Sequence, residues 1–121
     1  MERLKQPGTA SDSGGAVVVG ASGPLDVLQA REIGAAARDR VGGGAVGVVL
    51  DLTGATFADE IGVLTLAEEV LALTAAGLPV ALCGMQPHLE ERLHRAGVSR
   101  RAAVCDTLAD AHRLVAAAAE A

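Results

Sequence analysis

The valine-rich run from Val46 to Leu50 constrains the fold more than any other part of the chain. It contains three valines and no alternation with polar residues, which is typical of a strand covered on both faces. Similar apolar runs occur at residues 16–20, 78–83 and 102–105, and amphipathic segments with helical spacing follow each of the four. This order predicts an α/β domain with a mixed, mostly parallel sheet of four to five strands packed with about four helices.

Polar and special residues mark the expected ends of these elements. Asp26 and Asp59 are placed to accept the first amide hydrogens of helices running to about residues 40 and 76. Gly77 is expected to close the second of these helices, and Pro87 to begin the third. Turns are expected at residues 21–24 and 53–54, where Gly, Ser, Thr and Pro cluster.

The chain of 121 residues is expected to form one domain. Residues 1–15 are polar and predict a flexible N-terminal tail, which leaves residues 16–118 as the folded domain.

No apolar segment of the N-terminus resembles a signal peptide, and no run is long enough to cross a bilayer. These features predict a cytoplasmic protein without direct membrane insertion. The net charge of −5 argues against a partner nucleic acid.

Side chains suited to catalysis or metal binding are sparse. The three histidines lack the spacing of a metal site, and no serine lies in a nucleophile elbow. Cys83 and Cys105 form no C-x-x-C motif and are interpreted as buried thiols, with a disulfide as the less favoured alternative. We therefore expect a protein that is not an enzyme and that has no cofactor, metal or catalytic residue.

A basic cluster surrounds the predicted third helix and the loop that follows it. Its members are Arg92, Arg95, Arg100 and Arg101. The cluster is either a solvated face or a surface for docking an acidic partner.

Five segments of the chain, in order, resemble the STAS domain of the anti-sigma factor antagonists. Gly23-Pro24-Leu25-Asp26 is similar to the Gly-x-Leu-Asp that opens the family's first helix, and the strand at residues 48–53 (VVLDLT) is similar to its strand ending in Leu-Asp-Leu-Ser. Residues 56–63 (TFADEIGV) resemble the family's turn, Thr/Ser-Phe-hydrophobic-Asp-Ser-Ser/Thr-Gly-Leu. Residues 77–82 and 93–98 resemble a later strand and helix end. The resemblance covers about residues 16–118.

The resemblance implies a fold and a partner. The family's sheet is mixed, with the first strand antiparallel to a parallel core. Its partner is an anti-sigma factor that is also an ATP-dependent serine kinase, and it phosphorylates the Ser or Thr just before the turn glycine. The resemblance thus places partner binding at Asp59, Glu60, Ile61, Gly62 and Val63.

This chain departs from the family at the residue that is phosphorylated. Ile61 occupies that position and cannot accept a phosphoryl group, and Glu60 stands where the family often has Ser. Three hypotheses follow: an antagonist without the switch, a partial mimic of the phosphorylated state through Glu60, or a scaffold or adaptor in a stress-signalling assembly or beside an ABC-type lipid transporter. The sequence also leaves open whether the protein forms a homodimer. The candidates for a displaced phosphorylation site are Thr53, Thr56 and Thr65.

Overall fold

Strands and helices alternate along the chain as the sequence predicts. The computed structural model describes residues 10–13 and 15–120. The strands are β1 (Ala10–Ser13), β2 (Ala16–Leu25), β3 (Gly47–Phe57), β4 (Val80–Cys83) and β5 (Ala103–Cys105). The helices are α1 (Val27–Gly42), α2 (Glu60–Ala75), α3 (Pro87–Arg95) and α4 (Leu108–Glu120), with a 3₁₀ turn at Val98–Arg100.

The five strands form a single mixed sheet in the spatial order β1-β2-β3-β4-β5. β1 is antiparallel to β2, and the three remaining pairs are parallel. The predicted fold class is confirmed. The tail predicted over residues 1–15 is wrong in part, because Ala10–Ser13 forms β1 through backbone pairing with Ala16–Val19. Residues 1–9 and residue 14 of that predicted tail lie outside the described residues.

The turns predicted at residues 21–24 and 53–54 are wrong, because strand pairing continues through both. β2 and β3 stay paired from Ser22 with Gly54 to Leu25 with Phe57, after a register shift between Gly20 and Ser22. β1 pairs only with residues 16–19, so among the described residues the outer edge of this part of β2 has no strand neighbour. Pro24 is therefore tolerated, since its missing N–H removes no bond from a second ladder.

Helices cover both faces of the sheet. Alternate residues of β3 point to opposite sides, so that Val48 and Leu50 face the α1–α2–α3 side and Val49 faces α4. The larger core lies on the first side and also includes Ile33 of α1 and Leu66 of α2. The smaller core, on the α4 side, contains Ala16, Val49, Ala81, Cys83, Ala111 and Val115.

The predicted helix ends are confirmed. Asp26 and Asp59 accept amide hydrogen bonds from the third residue of α1 and α2, and Pro87 is the first residue of α3. Gly77 follows α2 with φ of 90°, a left-handed conformation that costs glycine least. Within the described part of the chain, no helix is both long enough and apolar enough to cross a membrane.

Candidate functional site

The N-terminus of α2 is held in place by its capping residue. Asp59 adopts an extended conformation, and its Oδ1 accepts a hydrogen bond of 2.7 Å from the amide of Gly62. This bond satisfies one of the amide groups that a helix leaves without an internal partner. Glu60 adds a negative charge in the first turn, where the helix dipole favours it.

The N-termini of α1 and α2 lie against each other. A Cβ atom built on Gly62 would lie 2.1 Å from the carbonyl oxygen of Leu25 and 2.8 Å from the Cα of Asp26. Only glycine permits this approach. Asp26 in turn caps α1 through a 2.8 Å bond from the amide of Gln29, so both helices begin at one end of the molecule.

Three large apolar side chains are exposed on these two helix starts. Ile61 is 64% exposed, Leu64 is 48% exposed and Leu28, in the first turn of α1, is 67% exposed. We call these three residues the apolar patch. Exposed apolar side chains on two helix starts that lie against each other make this end of the molecule a candidate interaction surface.

A chain of contacts on one flank of the apolar patch links α2 to α3. Glu60 Oε1 accepts a 2.6 Å hydrogen bond from Arg92 Nη1. The guanidinium of Arg92 lies 4.8 Å from the ring centroid of Phe57, within the range of a cation–π interaction. Phe57 also meets the ring of His88 edge to face, with centroids 4.9 Å apart. The charged group of Glu60 is therefore held by α3.

The five residues that the resemblance assigns to partner binding differ in their exposure to solvent. Asp59, Glu60 and Ile61 are exposed, whereas Gly62 and Val63 are buried. The first three are available for contact, and the other two set the position of the helix against β2 and the core.

The sequence reasoning missed Leu28 and the roles of Phe57 and His88. Leu28 lies outside the stripe of buried residues formed by Ala30, Ile33 and Ala37. A helical projection of α1 would therefore have shown that Leu28 faces solvent. The Phe57–His88 contact joins distant parts of the chain, and no local pattern encodes it.

The three candidate threonines differ in accessibility. Thr53 is exposed, and its hydroxyl donates a 2.6 Å bond to Asp51 Oδ1. Thr56 is also exposed. Thr65 is only 6% exposed, and its hydroxyl donates to the carbonyl of Ile61 at 2.8 Å. A kinase would have to open the first turns of α2 to reach Thr65.

Cys83 and Cys105 lie side by side on β4 and β5, where they are register partners. Burial, followed by the charges of Asp51 and Cys105, raises the pKa of Cys83 to about 11. Burial, followed by Asp110 and Asp106, also raises the pKa of Cys105. Both thiols are free and protonated at neutral pH, which makes them weak nucleophiles.

Across residues 10–13 and 15–120, no three His, Cys, Asp or Glu side chains are placed to hold a metal ion.

Comparison with known proteins identifies the family. The fold is a mixed α/β domain with helices on both faces of its sheet, and the STAS domain model matches residues 9–111. The chain belongs to the STAS domain family. STAS domains are generally non-catalytic regulatory and interaction domains. No curated protein sequence matches the chain.

Three solved structures share the fold of this chain over most of their length. RsbS of Moorella thermoacetica, in a variant with a serine replaced by glutamate, is 21% identical, with a TM-score of 0.76 over 93% of this chain and 97% of that one. A chain from the molecular architecture of the stressosome, described as a signal integration and transduction hub, is 20% identical, with a TM-score of 0.71 over 93% and 100%. The anti-sigma factor antagonist SpoIIAA in its unphosphorylated form is 18% identical, with a TM-score of 0.66 over 88% and 94%. At these identities the likeness is one of fold.

Proposed function

We propose that this protein is a STAS-domain antagonist that binds a kinase-type anti-sigma factor through the N-terminus of α2 and regulates transcription that depends on a sigma factor. The exposed apolar patch carries the proposal, because it lies at the turn where the family resemblance places the partner. Ile61 and Leu64 offer apolar area at the centre, and the Glu60–Arg92 pair supplies a polar rim.

The position of Ile61 supports an antagonist without the usual switch. An isoleucine accepts no phosphoryl group, so a kinase partner would bind the site without modifying it there. Thr53 and Thr56 remain accessible as displaced phosphorylation sites, whereas the burial of Thr65 argues against that residue.

The contact between Glu60 and Arg92 argues against a strong phosphate mimic. A phosphoserine carries close to two negative charges, whereas Glu60 carries one. That charge is already offset by a guanidinium at 2.6 Å. The surface that a partner meets at this position is therefore closer to neutral than a phosphorylated one.

The test is to mix the purified protein with a kinase-type anti-sigma factor that recognises STAS partners, in the presence of ATP. Isothermal titration calorimetry would measure binding, and intact mass would measure phosphoryl transfer. The chain has no Trp or Tyr, so any chromatography used to purify the protein or its complex must follow peptide-bond absorbance. The expected result is a stable complex with no increase in intact mass, whereas a gain of one phosphoryl group would point to a displaced site such as Thr53 or Thr56.

A matched pair of variants locates the binding surface. Ile61→Asp places a charge in the apolar patch and should weaken binding by at least about tenfold, or about 1.4 kcal/mol. Leu114→Asp makes the same kind of change at a residue of α4 that is 47% exposed. This variant should bind the anti-sigma factor with unchanged affinity. Equal affinities of the two variants would refute the assignment of the site.

A scaffold role is the second candidate, and the likeness to a stressosome chain favours it. A scaffold should assemble into a large particle with other STAS-domain proteins and show no affinity for the kinase alone. Sedimentation velocity of the mixtures separates the two roles. Recovery with an ABC-type transporter instead would support the adaptor hypothesis.

A further inference from the structure

A groove lies between α3, the 3₁₀ turn and β5, and none of the residues that line it belongs to the apolar patch. Its volume is about 390 Å³. Most of its lining is apolar, and the residues that contribute this surface are Met85, Pro87, Leu93, Val98 and Val104. The function proposed above does not use this groove.

The groove borders an open edge of the sheet. β5 is the last strand in the sheet order and, among the described residues, pairs only with β4. Val104 lines the groove and is 37% exposed, whereas Ala103 and Cys105 pack on the α4 side. The outward backbone groups of β5 are therefore next to an apolar cleft, which is the arrangement that binds an added strand.

Two arginines follow Ser99, a residue that lines the groove, in the chain. Arg100 and Arg101 are exposed and directly precede Ala102 and β5. Neither forms an ion pair within the described part of the chain, whereas Arg92 and Arg95 are paired with Glu60 and Glu91. The chain as a whole carries a net charge of −5, so this corner differs in sign from the molecule around it.

The part of the groove that α3 lines contains two acidic residues. Glu90 and Glu91, on α3, both line it, and only Glu91 has an ion-pair partner among the described residues. Next to the arginines, His94 Nδ1 and the hydroxyl of Ser99 lie 2.5 Å apart and form a polar rim. An occupant with a negative charge near Arg100 and Arg101, and no charge near Glu90, would match this distribution.

We propose that the groove and the β5 edge bind an extended segment of another protein, with alternating apolar side chains and an adjacent pair of acidic residues. The segment pairs its backbone with β5 and places an apolar side chain beside Val104. Its acidic pair lies next to Arg100 and Arg101. Because β5 has only three residues, few backbone bonds form, and the side chains in the groove and the charges give most of the affinity.

The test uses the full chain labelled with ¹⁵N and two synthetic peptides. One is acetyl-Asp-Asp-Val-Thr-Val-Thr-Val-amide, and the control replaces both aspartates with lysine. Titration followed by amide chemical shifts should move the signals of β5 and the 3₁₀ turn. The acidic peptide should bind at least about tenfold more tightly than the basic one, since two favourable charge contacts are exchanged for repulsion.

Charge reversal supplies the matched variant. The double substitution Arg100→Glu with Arg101→Glu changes exposed side chains and should preserve the fold, which the dispersion of the amide spectrum checks. This variant should prefer the basic peptide. Ile61→Asp should leave peptide binding unchanged, so a failure of this proposal is distinguishable from a failure of the proposed function.

Four results would overturn the proposal, and the first three concern the peptides. They are equal binding of the two peptides, shifts that map away from β5 and the 3₁₀ turn, and the lack of any saturable shift. Shifts of β5 that change with protein concentration in the absence of peptide would assign the edge to a second copy of the chain and would also overturn it.

Discussion

Gly62 and Leu25 hold the two helix N-termini of the candidate site together. The Cα of Gly62 faces the carbonyl oxygen of Leu25 so closely that a Cβ atom there would lie only 2.1 Å from that oxygen. The obstacle is backbone, which cannot rotate away as a side chain could. The position of Ile61 on the surface therefore depends on the absence of a side chain at the next residue.

Replacing Gly62 with alanine should destabilise the protein by about 1–3 kcal/mol, because α2 must move away from β2. Urea unfolding followed by circular dichroism measures the free energy of unfolding. Gly42→Ala is the matched control, since a Cβ at Gly42 meets nothing within 4 Å. That variant should be neutral or up to about 1 kcal/mol more stable. A Gly62→Ala protein as stable as the control would contradict the close approach of Gly62 to the Leu25 carbonyl.

Loss of the Asp59 cap should cost about 1 kcal/mol. In Asp59→Ala the amide of Gly62 loses its 2.7 Å acceptor, and substitutions of this kind cost about 0.5–2 kcal/mol. Asp59→Asn keeps an acceptor oxygen and should retain most of the stability. Thermal unfolding of the three proteins provides the comparison. If Asp59→Asn and Asp59→Ala lower the stability equally, the charge of Asp59 stabilises the protein and its hydrogen bond does not.

Much of the fold could be predicted from local sequence. Val46 to Leu50 predicted a buried strand, and Asp26, Asp59, Gly77 and Pro87 marked helix ends through their own backbone chemistry. The errors lie where a distant strand supplies the stabilisation. The predicted turns at residues 21–24 and 53–54 are strand because β2 and β3 pair with each other there. Similarly, β1 exists through its pairing with β2, and its polar sequence contains no strand pattern.

The candidate site was predicted in part, for a similar reason. The resemblance pointed to the start of α2, and the exposure of Ile61 agrees with a surface at that position. Leu28, Arg92 and His88 come to the same region from α1 and α3, so their placement depends on packing between helices. A single sequence does not specify which faces of two helices meet.

The ion pair between Glu60 and Arg92 should contribute little to stability. Both side chains are partly exposed, and such pairs are typically worth about 0–1 kcal/mol. Arg92→Ala should cost more than Glu60→Ala because the arginine also stacks on Phe57.

A double-mutant cycle isolates the pairwise energy of Glu60 and Arg92. We expect a coupling below about 1 kcal/mol that shrinks as salt is added. A coupling above about 2 kcal/mol, or one that salt leaves unchanged, would mean that the pair is buried in solution.

The stability of the protein should fall as pH rises above about 9. Burial raises the pKa of Cys83 to about 11 in the folded state, whereas a thiol in an unfolded chain has a pKa of about 8.5. Between these values the unfolded state has released a proton that the native state retains. The free energy of unfolding therefore decreases with pH, by up to about 1.4 kcal/mol per pH unit for one proton.

Few other groups obscure this effect, because the chain has one lysine and no tyrosine. Urea unfolding at pH 8, 9 and 10 would measure the slope, and Cys83→Ala should flatten it. Cys105→Ala should flatten it less, because Cys105 is only partly buried. If the slope of the Cys83→Ala protein equals that of the unmodified protein, the thiol of Cys83 titrates alike in both states and is not shielded from water in solution.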